Sequence, residues 1–123
     1  MKFMAIGIGG ALGAMARYGI AVIGKNWYVF QFPIATTLCN CIGCFVLGIL
    51  VHLLAKSTNE VLGLFLITGF CGGFTTFSAF ALEQKNLWGQ QLFSEALLHL
   101  LLNNFLGIIF VVLGYYLSSK LFL

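Results

Sequence analysis

The sequence predicts an all-α membrane protein with four transmembrane helices in a single domain, residues 1–123. Its residues are 61% hydrophobic and only 7% charged, a composition that excludes a soluble globular domain. Four apolar stretches are separated by short connections that carry most of the charges. Each stretch can cross a hydrocarbon core ~30 Å thick at ~1.5 Å of rise per residue. The stretches are residues 3–23, 33–55, 61–82 and 97–117.

The six cationic side chains are spread singly along the chain and form no basic patch, so nucleic acid is not an expected partner. With four spans, they divide equally between the two membrane sides, and the positive-inside rule then favours neither orientation. One side carries Lys2, Lys56 and Lys120, and the other carries Arg17, Lys25 and Lys85. Four short helices are also too few to enclose a wide pore. The sequence therefore predicts a homodimer of two oppositely oriented chains.

The first stretch begins like a secretory signal peptide, with Lys2 before an apolar run and small residues at 14–16. Because the run continues past Arg17, we expect it to remain uncleaved as the first span. Arg17 has two interpretations. It is either a fixed cation that holds a polar network and attracts anions, or a side chain that extends to the interface beside Tyr18.

Small residues at helical spacing predict that the first span packs closely against another helix. This face comprises Gly10, Ala14, Arg17 and Ala21, and the pair Gly9 and Gly13 gives a weaker signal of the same kind.

The second stretch begins at Pro33, which is tolerated in a first helical turn. Thr36, Asn40 and Gly43 share one face of the predicted helix. The Asn40 amide offers two N–H donors without charge, which suits transient binding of an anion. It could equally form an interhelical hydrogen bond worth about 0.6 to 2 kcal/mol.

Four cysteines lie in apolar spans, and Cys41 and Cys44 have the spacing of a redox or zinc motif. Neither a soluble strand–helix context nor a set of four converging ligands accompanies them. We therefore interpret them as small packing residues.

The third stretch has the glycine pair Gly72 and Gly73 at its midpoint. Two glycines loosen a helix, and irregular backbone at membrane depth persists only where it is buried in protein or lines a polar cavity. With the hydroxyls of Thr75, Thr76 and Ser78 directly after the pair, the pattern predicts a broken helix that forms an ion site. The alternative is a glycine-packed helix contact whose hydroxyls bond to their own turn.

Aromatic side chains at helical spacing accompany this predicted break. Phe70, Phe74 and Phe77 follow one spacing, and Phe77 and Phe80 follow another. Such a stripe is usually core, but aromatic ring edges are positive and would favour an anion over a cation. In the fourth stretch His99 and Asn103 share a face, where His99 either titrates or packs as a hydrogen-bonded histidine.

All three carboxylates, Glu60, Glu83 and Glu95, are expected at the ends of spans. A proton-coupled cation exporter would need a buried acid, so this placement counts against one. Catalytic constellations and nucleotide-binding loops are absent from the sequence, which indicates that the protein is not an enzyme.

These residues resemble the Fluc/CrcB family of fluoride channels along nearly the whole chain. The resemblance rests on three motifs in the same order: Gly-Gly-x-x-Gly-Ala-x-x-Arg-Tyr at residues 9–18, Pro-x-x-Thr-x-x-x-Asn-x-x-Gly-x-Phe at residues 33–45, and Gly-Phe-Cys-Gly-Gly-x-Thr-Thr-Phe-Ser-x-Phe at residues 69–80. It implies an antiparallel homodimer in the cell membrane that releases fluoride passively and so lowers its toxicity in the cell.

The resemblance also implies roles for particular residues. Carbonyls of Gly72 and Thr75 from both subunits would hold a structural sodium ion. The fluoride pathway would comprise Asn40, Thr76, Phe77, Ser78, Phe80, His99 and Asn103, and a supporting vestibule would comprise Arg17, Thr36 and Glu83.

The chain departs from the family pattern at Ala35, which replaces a glycine, and at His99 and Asn103, where the family often has tyrosine and serine. Both fourth-span residues can donate hydrogen bonds, so we expect conduction to survive these departures, which bear on its rate and pH response. Two other functions fit the pattern less well: a small four-span drug or cation exporter, and a structural membrane subunit without transport.

Overall fold

The computed structural model describes residues 1–26 and 32–121 of the chain. The described part is helical, with five helices that we number in chain order. They are α1 (Lys2–Ile23, followed by a 3₁₀ turn at Gly24–Asn26), α2 (Ile34–Leu54), α3 (residues 60–74), α4 (Phe77–Gly89) and α5 (Phe93–Leu121).

Four helical segments in the described residues are long and apolar enough to cross a membrane. They are Lys2–Ile23, Ile34–Leu54, Glu60–Gly89 and Phe93–Leu121, so α3 and α4 together make the third segment. The prediction of four spans is confirmed at this level. The third segment ends at Gly89 instead of residue 82, and the fourth begins at Phe93 instead of residue 97. The reason is that both helices extend over polar residues that lie outside the apolar stretches.

Helix α1 packs directly against α3 through glycine. Gly9 and Gly13 are buried, and a Cβ at Gly13 would collide with the Phe70 carbonyl oxygen and lie 2.8 Å from the Phe74 amide nitrogen. A Cβ at Gly73 would likewise collide with the Gly10 carbonyl oxygen. The contact therefore includes Gly9 and Gly13, the pair with the weaker sequence signal, as well as Gly10. The predicted extension of this face to Ala21 is wrong, since that residue is exposed.

Helices α2 and α5 form a second pair with the same kind of contact. Gly48 lies against the backbone of Val111 and Tyr115, and Gly114 lies against the carbonyl of Phe45. In a lipid solvent the close approach of backbones is a main source of helix association, because lipid is as apolar as the side chains. The bundle therefore consists of two glycine-packed helix pairs.

Backbone dihedral angles change at the junction between α3 and α4. Gly72 has helical angles of −62° and −37°, whereas Thr75 (−81°, 156°) and Thr76 (−150°, 119°) are extended. Helix α4 then begins at Phe77, with the Thr76 hydroxyl accepting a hydrogen bond of 3.2 Å from the Ala79 amide. The two predicted glycines themselves are helical, and the two threonines after them form the extended joint.

Two stretches have the wider π-helical hydrogen-bond pattern: Leu64–Cys71 within α3 and Leu102–Leu106 within α5. Such turns are rare in proteins and are frequent near functional sites. Here both lie beside the same cavity, described next, since Cys71 and Asn103 contribute to its wall.

Candidate functional site

A cavity of about 370 Å³ lies between α2, the α3–α4 joint and α5. Several residues predicted for the ion pathway or the sodium site line it: Asn40, Gly72, Thr75, Thr76, Phe77, Phe80 and Asn103. Its remaining wall is formed mainly by small and apolar side chains, and no carboxylate is among the described residues that line it. The cavity therefore offers neutral polar groups and aromatic rings to whatever enters it.

Asn40 connects the three elements around this cavity. Its Oδ1 accepts a 2.9 Å hydrogen bond from the Thr76 amide, and its Nδ2 donates to Asn103 Oδ1 at 2.8 Å. The Thr76 amide can only donate, so the orientation of the Asn40 side-chain amide is fixed by this network. A further contact from Nδ2 to the Thr76 carbonyl is long, at 3.4 Å. Asn40 thus acts as an interhelical link and retains a weakly used N–H donor.

Asn103 extends the network along α5 and back to α2. Its Nδ2 donates to Thr37 Oγ1 at 3.0 Å and to the His99 carbonyl at 2.9 Å. Thr37 was not singled out from the sequence, because its neighbour Thr36 shares the face of Asn40 by simple helical spacing. The Asn40–Asn103 hydrogen bond across two spans could not be read from either helix alone.

The extended joint diverts two helical hydrogen bonds. In an uninterrupted α-helix the Thr76 amide would donate to the Gly72 carbonyl, and the Ala79 amide would donate to the Thr75 carbonyl. Instead these amides donate to Asn40 Oδ1 and to Thr76 Oγ1. The carbonyl oxygens of Gly72 and Thr75 thereby lose their usual helical donors, and Gly72 lies at an exposed position.

Phe77 and Phe80 lie in the cavity wall with their ring centroids 5.6 Å apart and their planes tilted by 46°. Phe80 is only 7% exposed, whereas Phe77 is 79% exposed. The Phe80 ring also contacts the His99 ring, at a centroid distance of 5.0 Å. One aromatic ring therefore separates His99 from the cavity, and the other lies on the open side.

Glu83 lies within the bundle rather than at the end of its span. Its Oε1 accepts a 2.6 Å hydrogen bond from the Thr36 hydroxyl, and its Oε2 lies 3.5 Å from His99 Nε2. The expectation that all carboxylates occupy span ends is wrong for this residue, because α4 continues to Gly89. Thr36, Glu83 and Lys25 line a second, smaller cavity of about 100 Å³.

Arg17 points into the bundle, where its Nε donates to the Gly73 carbonyl at 3.1 Å. This contact favours the interpretation as a fixed cation within a polar network. Ser78 is exposed, and its hydroxyl lies 3.2 Å from the Thr76 hydroxyl. Neither Arg17 nor Ser78 is among the residues that line the larger cavity.

The cysteines occupy packing positions, with Cys39, Cys41 and Cys71 buried. Cys44, Cys71 and Asn104 line the larger cavity, although the sequence pattern assigned them no role there. Within residues 1–26 and 32–121, no group of three or more histidine, cysteine or acidic side chains is placed to hold a metal ion. Sodium bound by backbone carbonyls would not need such a group.

Comparison with known proteins places this chain in a family. The model of a family described as CrcB-like protein, Camphor Resistance (CrcB), matches residues 4–115. A protein of Azobacteroides pseudotrichonymphae named "Fluoride-specific ion channel FluC" is 40% identical over 120 residues, which cover 96% of each chain.

Proteins with the same name in Helicobacter acinonychis and Paracoccus denitrificans are each 39% identical to this chain. The first comparison covers 98% of this chain and 97% of the relative, and the second covers 98% and 96%. The four membrane-length helices together with relatives that are named ion channels make this a multi-pass membrane protein. On its family-model match and its near full-length identity to these relatives, the chain belongs to the CrcB-like protein family.

Proposed function

We propose that this chain forms a fluoride-selective channel, which lets fluoride leave the cell passively across the cell membrane and so limits fluoride toxicity. The observation that carries the proposal is the cavity wall, which combines the Asn40 amide with the rings of Phe77 and Phe80 and, in the part of the chain that the structure describes, includes no carboxylate. The name shared by the near full-length relatives supports fluoride as the ion.

The donors in this wall suit a small and strongly hydrated anion. A selective pathway must replace the water around fluoride with several donors at once, yet bind weakly enough to release it. One N–H of Asn40 is only weakly engaged, with Nδ2 3.4 Å from the Thr76 carbonyl oxygen, so it is available to an anion that approaches beside that carbonyl while the other hydrogen bonds of the amide remain. Positive ring edges of Phe77 and Phe80 would add further weak attraction.

The beginning of α4 adds a favourable electrostatic contribution at the same place. The helix begins at Phe77, and both Thr76 and Phe77 lie in the cavity wall. The N-terminal end of a helix carries a partial positive charge, which stabilises a nearby anion. We propose that the joint at Thr75 and Thr76 is the break of the third transmembrane helix and that it serves this purpose.

We propose further that two chains assemble as an antiparallel, dual-topology homodimer. The cavity is open on the side of Phe77 and Gly72, which a second chain would cover. An ion pair of 2.6 Å between Lys2 and Glu60 supports placing Lys2 and Lys56 at one end of the bundle, as the balanced cation distribution assumes. With Arg17 held inside the bundle, three lysines lie at this end and Lys25 and Lys85 at the other, a near balance that gives neither orientation a strong preference.

A structural sodium ion between the two chains is part of this proposal. The carbonyl oxygens of Gly72 and Thr75, whose helical donors are diverted, are neutral oxygen ligands of the kind that unwound membrane helices offer to sodium. When bound, the cation would offset part of the cost of desolvating an anion nearby.

Fluoride efflux from liposomes tests the channel proposal. We expect purified protein reconstituted in sodium buffer to release fluoride rapidly, as read by a fluoride electrode, with little release of chloride in a parallel experiment. Replacing Phe77 or Phe80 with leucine should lower the flux at least about tenfold, because ring edges are lost while apolar volume is kept.

Phe3→Leu provides the matched control, since Phe3 is 89% exposed and lies outside the cavity wall. Fluoride release no faster than from empty liposomes would contradict the channel function. Loss of dimer assembly in the Phe77 and Phe80 variants would instead favour the structural-subunit interpretation.

Two measurements test the dimer. Light scattering in detergent should give the mass of two chains in sodium buffer and a larger fraction of single chains when an organic cation replaces sodium. An impermeant amine reagent applied to intact cells should modify lysines at both ends, Lys56 and Lys120 as well as Lys25 and Lys85. Modification of only one of these sets would contradict dual topology.

A further inference from the structure

Glu83 and His99 form a buried pair that the channel function alone does not explain. The His99 side chain has 0% exposure and that of Glu83 has 28%. Glu83 Oε2 and His99 Nε2 face each other at 3.5 Å, and both atoms are buried without another hydrogen-bond partner among the described residues. The separation exceeds that of an ordinary hydrogen bond, about 2.7–3.2 Å. These two atoms thus face each other, and neither forms a hydrogen bond of ordinary length with a described residue.

The surrounding hydrogen bonds define the charge of the pair. Gln84 Nε2 lies 2.9 Å from the Ala96 carbonyl, which only accepts, and 3.3 Å from His99 Nδ1. Gln84 therefore donates to Nδ1, and the single proton of a neutral imidazole lies on Nε2, toward Glu83. Glu83 Oε1 then accepts a hydrogen bond from the Thr36 hydroxyl, and the His99 N–H is directed at Oε2, as suits a carboxylate. In this arrangement the pair carries one negative charge.

The Phe80 ring lies between this pair and the proposed fluoride pathway. Phe80 is in the cavity wall, and its ring centroid is 5.0 Å from that of His99. Glu83 follows Phe80 by three residues in α4, so both side chains lie on the same side of that helix. A change of charge on the pair therefore acts on the cavity across a thin apolar layer, where electrostatic interactions are poorly screened.

We infer that Glu83 and His99 bind one proton together and that this proton raises the fluoride conductance. Binding of the proton changes the net charge of the pair from −1 to 0, whichever of the two side chains holds it. Proton binding thus removes a negative charge that lies behind the Phe80 ring and repels an anion in the cavity. The inference rests on the proposed fluoride channel and adds to it a dependence of conductance on pH.

Other charged groups near the pair do not cancel this change. Arg17 in α1 is held by the Gly73 carbonyl, and Lys25 lies with Glu83 at the smaller cavity. On α5, Glu95 lies one turn before His99 and accepts a hydrogen bond from Ser94. Cys39 is the titratable group that α2 contributes nearby, and a neutral thiol there adds no charge.

Fluoride currents across planar lipid bilayers test the inference, since neutral hydrogen fluoride carries no current. We expect the wild-type current to be at least about threefold larger at pH 5.5 than at pH 7.5. His99→Gln keeps an N–H donor toward Glu83 and leaves Glu83 as the titratable group of the pair, so a changed pH response should remain. In the double variant His99→Gln/Glu83→Gln the pair cannot bind a proton, so its currents at the two pH values should be equal. His52→Gln is the matched control, because His52 contacts Ser118 at 3.0 Å and lies outside the cavity wall.

Glu83→Gln alone gives a second test if the double variant does not fold. Without the carboxylate, His99 binds its proton less readily, and the rise in current should shift to lower pH. A wild-type current that does not change with pH would overturn the inference, as would a double variant whose pH response equals that of the wild type. Absence of fluoride current at both pH values would instead count against the channel function itself.

Discussion

Asn40→Asp should lower fluoride flux at least about 100-fold while the protein still folds. An aspartate keeps the acceptor for the Thr76 amide at nearly the same shape, but it loses the N–H donors and adds a negative charge to the cavity wall. Repulsion between that charge and fluoride ~5 Å away amounts to about 3 kcal/mol at an effective dielectric constant near 20. Each 1.4 kcal/mol corresponds to about a factor of ten.

The liposome efflux assay measures this effect, with size-exclusion chromatography as the check on folding. Asn86→Asp serves as control, since it adds the same charge at an exposed position of α4 outside the cavity wall. If Asn40→Asp conducts fluoride as fast as Asn86→Asp, then Asn40 does not face the ion. In that case it serves only to connect the helices.

Gly13→Val should prevent stable folding, with a loss of more than about 3 kcal/mol. A Cβ at this position would collide with the Phe70 carbonyl oxygen and lie 2.8 Å from the Phe74 amide nitrogen. Overpacking against movable side chains usually costs about 1–3 kcal/mol. Here the obstructing atoms belong to the backbone of α3, so the two helices must separate to relieve the collision.

Gly19→Val and Gly7→Val make the same substitution in the same helix, and a Cβ at either position meets nothing within 4 Å. Both should retain wild-type stability or exceed it slightly, because glycine is a poor helix former. Thermal unfolding in detergent and the recovery of folded protein compare the three variants. Equal stability of Gly13→Val and Gly19→Val would show that the α1–α3 contact is not rigid.

The number of helices could be predicted from the sequence because hydropathy acts locally. A sufficiently long run of apolar residues is more stable in the bilayer than in water, whatever the other helices do. The four spans therefore follow from composition and length. Helix ends are less certain. Glu83 was expected at a span end because a charge interrupts the apolar run, yet Thr36 and His99 provide partners that let α4 continue through it.

The exact site of the backbone joint was beyond local reasoning. Glycines lower helix stability, but Gly72 stays helical while Thr75 and Thr76 are extended. The reason lies in other helices: Asn40 accepts from the Thr76 amide, and the Thr75 methyl lies where Gly43 leaves space. The roles of Thr37 and Asn104 and the two π-helical turns depend in the same way on contacts between helices.

The joint at Thr75 and Thr76 also has a mechanical consequence. Asn40 connects this joint to α2, and α2 is tied to α5 by glycine contacts, while the part of the third span before the joint is tied to α1. The third span is thus shared between two glycine-packed helix pairs. We expect a motion that separates these pairs to change the backbone angles of Thr75 and Thr76, while the side-chain amide of Asn40 holds the joint to α2.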